Sequence, residues 1–120
     1  MENIAFEDFQ KLDIRIGTII EAEVPEWSHW VIKLKVDFGK ELGEKIIFAG
    51  IMKFFKPSEL EDKQFPFVVN LEPKKMGPKE NGKQNYSEGM MIMAVPKDDE
   101  ETPPVIFSLD KKVPNGTRVH

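Results

Sequence analysis

The 120-residue chain has no cysteine, only two histidines, His29 and His120, and a single tyrosine. Without cysteine there is no disulfide framework, no thiolate nucleophile and no sulfur ligand for a metal. With one histidine at the very end, no metal cluster has its ligand types at a recognisable spacing. Glycine-rich phosphate loops and nucleophile elbows are missing too. Carboxylates are plentiful, but in runs such as Asp98-Asp99-Glu100-Glu101, which are usually solvated faces. Independent catalysis, a metal and a cofactor are therefore not expected. The acidic start, Met-Glu-Asn-Ile-Ala-Phe-Glu-Asp, lacks the basic and apolar regions of a signal peptide. No apolar run is long enough to cross a bilayer. The expectation is a soluble, cytoplasmic protein with no membrane partner.

What is present suits one globular domain over residues 1–120. Forty per cent of the residues are hydrophobic and 10% aromatic, enough for a real core without staples. The net charge of −4 argues at face value against nucleic acid, but the signs are separated along the chain. Residues 1–26 carry −5, residues 27–95 carry +2 and residues 96–120 carry −1. Binding to a polyanion rests on local lysines releasing counterions, not on the total.

Apolar residues at Phe6, Phe9 and Leu12 predict a short amphipathic helix that must dock on something. From Asp13 the period becomes two. Ile14, Ile16, Thr18, Ile20 and Ala22 fall on one face, predicted to be buried, and Arg15, Gly17, Ile19, Glu21 and Glu23 on the other. Gly17 marks a bulge or a sharp coil of the sheet. A second strand alternates Ile32, Leu34, Val36 and Phe38 against Val31, Lys33, Lys35 and Asp37. Gly39–Gly43 is predicted as a hairpin connection, Lys45–Gly50 as a third strand, and Pro57–Leu60 as a short helical turn. Gln64–Asn70 is a fourth strand, placed at an edge by Pro66. Met90–Val95 is a fifth and Val105–Leu109 a last one, with a turn at Pro114–Thr117. This pattern fits an all-β, five-stranded barrel of the OB type with short helices. An SH3-like barrel is the competing answer, and the helix between the third and fourth strands favours OB.

Between the fourth and fifth strands lies the densest run of lysines, Lys74, Lys75, Lys79 and Lys83, with the lone Tyr86. It is expected to be a basic loop forming a contact surface. An OB barrel binds oligonucleotides across its second and third strands and the loops beside them. Lys33 and Lys35, with Asn70, Lys74 and Lys75, are thus the candidate polar contacts: lysines for phosphates, the amide for a base or sugar. Trp27 and Trp30, in the first inter-strand connection, either stack on bases or pack on the barrel end or a second subunit.

A series of segments then matches a known family. They are Phe9-Gln-Lys-Leu-Asp-Ile-Arg-Ile-Gly-Thr-Ile19, Leu34-Lys-Val-Asp-Phe-Gly39, Ala49-Gly-Ile51 and Lys56-Pro-Ser-Glu-Leu60. They continue with Asn70-Leu-Glu-Pro-Lys-Lys-Met-Gly77, Ser87-Glu-Gly-Met90 and Pro114-Asn-Gly-Thr117. Together they resemble the tRNA-binding domain of methionyl-tRNA synthetases, stand-alone tRNA-binding proteins and the CsaA-type chaperone. The resemblance implies an OB barrel with an N-terminal extension (1–12) and a C-terminal one (105–120), through which stand-alone members pair as homodimers. It implies that Asn70, Lys74, Lys75, Ser87 and Met90 belong to an RNA surface. The implied partners are tRNA and methionyl-tRNA synthetase; the alternative is CsaA-like binding of unfolded preproteins. The chain departs from the family at Trp27–Ile32, at Ala49, and in an insertion, Pro78–Tyr86, which either extends the RNA site or covers part of it.

Overall fold

The computed structural model describes all 120 residues, Met1–His120. Three short helices, α1 (Phe6–Gln10), α2 (Gly39–Leu42) and α3 (Pro57–Leu60), accompany ten strands. The strands are β1 (Ile14–Glu23), β2 (Ile32–Asp37), β3 (Glu44–Ala49), β4 (Gln64–Val68) and β5 (Lys74–Glu80). They continue with β6 (Lys83–Ser87), β7 (Met90–Met91), β8 (Met93–Ala94), β9 (Val105–Ile106) and β10 (Arg118–Val119). The main sheet runs β3-β2-β1-β4-β7, with β10 added beside the start of β1. β5–β6 and β8–β9 are separate antiparallel pairs.

The sheet curls into a nearly closed, OB-like barrel around Ile19, Ile32, Leu34, Val36, Phe38, Ile47, Phe65, Phe67 and Met91. β2 shows the predicted alternation, its apolar residues inside and its lysines out. β1 does not keep one buried face. Ile19, expected on the polar face, is fully buried, and Gly17 packs so tightly that a Cβ would overlap Val36 and Phe38. The reason is a bulge: Ile19 pairs with Val36 and Glu21 with Lys35, so Ile20 is an extra residue on β1. Two faces are thereby exchanged within one strand. Ile16 is buried as well, but outside that cluster. Its backbone bonds the C-terminal segment: its N–H donates to the Thr117 carbonyl and its carbonyl accepts from Gly116.

Pro66 does not mark an edge, because β4 lies between β1 and β7. It pairs with Ile16, whose backbone groups point to the C-terminal segment, so no donor is wanted from Pro66 on that side. On the other side the proline interrupts the ladder. Ile92 donates to the Pro66 carbonyl but can receive nothing in return. The predicted strand Met90–Val95 is accordingly split at Ile92 into β7 and β8. The connection Gly39–Gly43 forms a single helical turn, and the last predicted strand shortens to the two residues of β9, which pair with β8 outside the barrel sheet. The barrel closes beyond β3 without a regular ladder. Ile46 and Glu88 exchange hydrogen bonds, Glu88 N–H to the Ile46 carbonyl (2.8 Å) and Ile46 N–H to Glu88 Oε1 (2.9 Å). Ser87 Oγ takes the Phe48 N–H (3.0 Å).

Candidate nucleic-acid interface

The stretch between Asn70 and Met90 is not the loop that its prolines and lysines predict. Lys74–Glu80 and Lys83–Ser87 form an antiparallel hairpin, with Lys75 opposite Tyr86 and Met76 opposite Asn85. The turn is Asn81-Gly82, both at positive φ (51° and 77°), as a two-residue type I′ turn requires. Asn-Gly is a strong hairpin signal, present in the sequence but outweighed by Pro73 and Pro78. The ladder is irregular between Met76 and Glu80. There Gly77 takes φ +67°, and the Gln84 amide donates to the Gly77 carbonyl (2.9 Å). Residues 78–86, expected to be an insertion, therefore form the outer part of a hairpin arm.

The arm rests on the first inter-strand connection. The Trp27 ring lies against Gly77 so closely that a Cβ there would overlap it. Trp27 also packs on Phe48 (ring centroids 5.9 Å) and meets Trp30 edge-on (6.4 Å). Trp27 Nε1 donates to Glu80 Oε1 (3.1 Å), and Asn85 Nδ2 donates to Glu80 Oε2 (2.8 Å). Lys33 Nζ reaches Asn85 Oδ1 at 3.4 Å. Trp27 is thus a packed residue, while Trp30 remains 59% exposed.

Below the arm opens a groove of about 610 Å³ lined by Trp30, Phe48, Leu71, Lys74, Met76 and Met90, among others. Met90, which opens an apolar strand in the sequence, is not in the core but 55% exposed beside the groove. Lys74 and Lys75 are exposed and make no ion pair, which leaves their ammonium groups free for anions. Aromatic and apolar side chains beside unpaired lysines suit a single-stranded nucleic acid, whose bases stack and whose phosphates need cations.

The other candidate side chains are engaged within the chain. Lys35 Nζ lies 3.4 Å from Glu44, and Lys33 joins the Asn85 relay. The Asn70 amide accepts from Asp13 N–H (2.9 Å) and donates to the Lys11 carbonyl (2.6 Å), fastening the N-terminal segment to the end of β4. Ser87 is buried, receives the Phe48 N–H and donates to the Gly89 carbonyl (3.2 Å). The seven candidates therefore do not form one surface. Lys74 and Met90 share the groove with Ser87, which has little capacity left, while Lys33 and Lys35 lie farther round the barrel beside Glu21, Glu23 and Glu61. Leu71, Phe48 and Met76 also line the groove, although their sequence context does not mark them as contacts; a leucine directly after Asn70, outside any strand pattern, is the one signal available.

Residues 14–118 match the protein-family model described as "Putative tRNA binding domain". The chain belongs to that tRNA-binding domain family. It is 40% identical over 119 residues to a methionine–tRNA ligase of Pyrococcus horikoshii and 41% identical to one of Archaeoglobus fulgidus. These matches cover 99% and 98% of the chain but only 15% and 16% of the ligases. Among solved structures, a protein related to methionyl-tRNA synthetase from Pyrococcus horikoshii superposes with a TM-score of 0.82 at 38% identity, all of both chains covered. The chaperone CsaA of Bacillus anthracis gives 0.79 at 36% identity over 99% of this chain and all of that one. No helix of this domain is long and apolar enough to cross a membrane.

Proposed function

We propose that the chain is a non-catalytic, structure-specific tRNA-binding protein of the cytoplasm, acting either in trans to a methionyl-tRNA synthetase or independently. The observation that carries this reading is the groove of Trp30, Leu71 and Met90 with the unpaired Lys74 at its side. Stacking and apolar contact hold unpaired nucleotides there, and Lys74 and Lys75 neutralise the backbone. Membership of the tRNA-binding domain family and the ligase relatives support tRNA as the RNA. The test is a salt titration of tRNA affinity. Lys74→Ala with Lys75→Ala should make the log–log salt slope shallower by about 1.5, as expected for two lost phosphate contacts. Negligible binding at low salt, or a slope that the double substitution leaves alone, defeats the reading.

The homodimer belongs to the same proposal. Helix α1 buries none of its residues; Phe6 and Phe9 stack on each other (6.3 Å) and stay exposed, as does Phe107. A second copy would cover such a face, and light scattering should give twice the monomer mass. The CsaA-like reading, binding of unfolded preproteins, has one observation in its favour: the groove is largely apolar. Tight binding of a reduced, unfolded protein beside absent tRNA binding would replace the first reading with this one.

A further inference from the structure

The arm extends past the groove, and its side chains are sorted by face. Asn85 and Ser87 point to the barrel, as the hydrogen bonds they accept from Lys33 and from Phe48 N–H show. Glu80 points the same way, to Trp27. By the alternation of a strand, Lys79, Lys75 and Tyr86 then stand on the outer face, the last two directly opposite each other. Lys83 stands opposite Glu80, on that residue's side of the ladder, and lies exposed at the tip beside the Asn81-Gly82 turn. Residues 74–87 hold four lysines and one carboxylate, Glu80. That carboxylate is turned inward and occupied at both oxygens. None of the four lysines has an ion-pair partner, and Tyr86 is 41% exposed. The outer face is therefore uniformly cationic around an aromatic ring, on an arm docked in place by Trp27 before any ligand arrives.

We propose that the outer face and tip of the β5–β6 arm, Lys79, Lys83 and Tyr86, form a second RNA contact beyond the groove. The lysines meet backbone phosphates of the RNA held in the groove, and Tyr86 stacks on a nucleotide splayed from it. This rests on the tRNA reading above. The arm's charge carries it: four lysines without ion-pair partners stand beside a single carboxylate, Glu80, whose two oxygens already accept hydrogen bonds from Trp27 and Asn85. Because the arm is pre-positioned, little ordering entropy opposes the contact.

The test compares labelled, unfractionated tRNA binding from 50 to 300 mM KCl for the wild type and four variants of the full chain. Lys79→Gln/Lys83→Gln should make the salt slope shallower by about 1.5. Tyr86→Ala should weaken binding at least about fivefold, while Tyr86→Phe, which keeps the ring, should bind as the wild type does. Lys111→Gln/Lys112→Gln makes the same change in net charge beside Gln64, and should leave the slope less affected. If wild-type protein binds tRNA and Lys79→Gln/Lys83→Gln leaves affinity and slope unchanged, the second contact is overturned while the groove stands. An equal effect of the Lys111/Lys112 pair overturns it too, since net charge alone then suffices. If the wild type fails to bind tRNA at 50 mM KCl, the groove reading falls and takes the arm with it.

Discussion

Residues 113–119 and residues 74–87 both lie outside the barrel core, the first along β1 and Gln64, the second against β3 and Trp27. The C-terminal segment is sewn down by polar groups. Asn115 Oδ1 accepts from Thr18 Oγ1 (2.6 Å) and from Gln64 Nε2 (2.9 Å), and Gln64 also exchanges hydrogen bonds with the Val113 backbone. Arg15 donates to the Gly116 carbonyl (3.0 Å) and pairs with Asp13 (2.6 Å). The Asp13 hydrogen bond raises the Arg15 pKa above its already high ordinary value, so this anchor is a fixed cation. The arm is held by an indole lying on a glycine, by Glu80, and at its base by Ser87 and Asn85, which accept from Phe48 and Lys33, while its own lysines have no ion-pair partners. Side chains that satisfy one another build structure; side chains left unsatisfied on a docked element are available to a ligand. The contrast separates a structural appendage from a candidate binding one within a single family fold.

The contrast should be sharpest at two glycines. Gly116 sits at φ +89°, and a Cβ there would overlap the Phe38 carbonyl oxygen, a backbone atom with little room to move. Gly116→Ala should destabilise the protein by about 3 kcal/mol, combining left-handed strain with the clash. Urea unfolding would show the lower midpoint. Next in size is Asn115→Ala, which leaves Thr18 and Gln64 without their shared acceptor in a partly buried place. A loss of about 2 kcal/mol is expected, with tRNA affinity unchanged where the protein is folded. If either substitution weakens RNA binding more than stability, the C-terminal segment is not merely structural.

How much of this is legible in the sequence depends on the distance over which each residue is explained. The β2 alternation is local, set by one buried face, and it lies where the pattern predicts it. The β1 face is not legible, because isoleucines at 14, 16, 19 and 20 satisfy either register until the bulge at Ile20 selects one. The groove lysines are visible as a cluster, but their freedom is visible only against the ion pairs that others make. Asn70 and Ser87 illustrate the opposite limit. Their residue types suit RNA contacts, yet their partners lie 57 and 39 residues away, and only the folded chain shows those amide and hydroxyl groups in use. The docking of Trp27 on Gly77, fifty residues apart, is equally nonlocal.

On the arm, Gly77→Ala should cost less in stability than Gly116→Ala, about 1 to 2 kcal/mol, because the clash is with a side chain that can swing out. Its larger effect should be on Trp27. A ring displaced from between Phe48 and Gly77 becomes wetter, so tryptophan emission should shift to the red, and tRNA affinity should fall as the arm loses its seat. An unshifted emission with unchanged affinity would show that the arm does not depend on the indole.

The smallest effect belongs to Glu80→Gln, which isolates the relay from the packing. A glutamine can still accept from Trp27 Nε1, but its amide nitrogen then faces another donor, Asn85 Nδ2, in place of an oxygen 2.8 Å away. One of the two hydrogen bonds is lost from an exposed site, so global stability should change by no more than about 0.5 kcal/mol. The consequence should be local opening. Amide hydrogens of the β5–β6 ladder should exchange several-fold faster, while those of β1, β2 and β4, protected by the barrel core, should keep their rates. The C-terminal segment should be equally untouched, since none of its hydrogen bonds involves the arm. Equal acceleration in both appendages would mean that the barrel couples them, and that the sewn and the docked segment open as one unit.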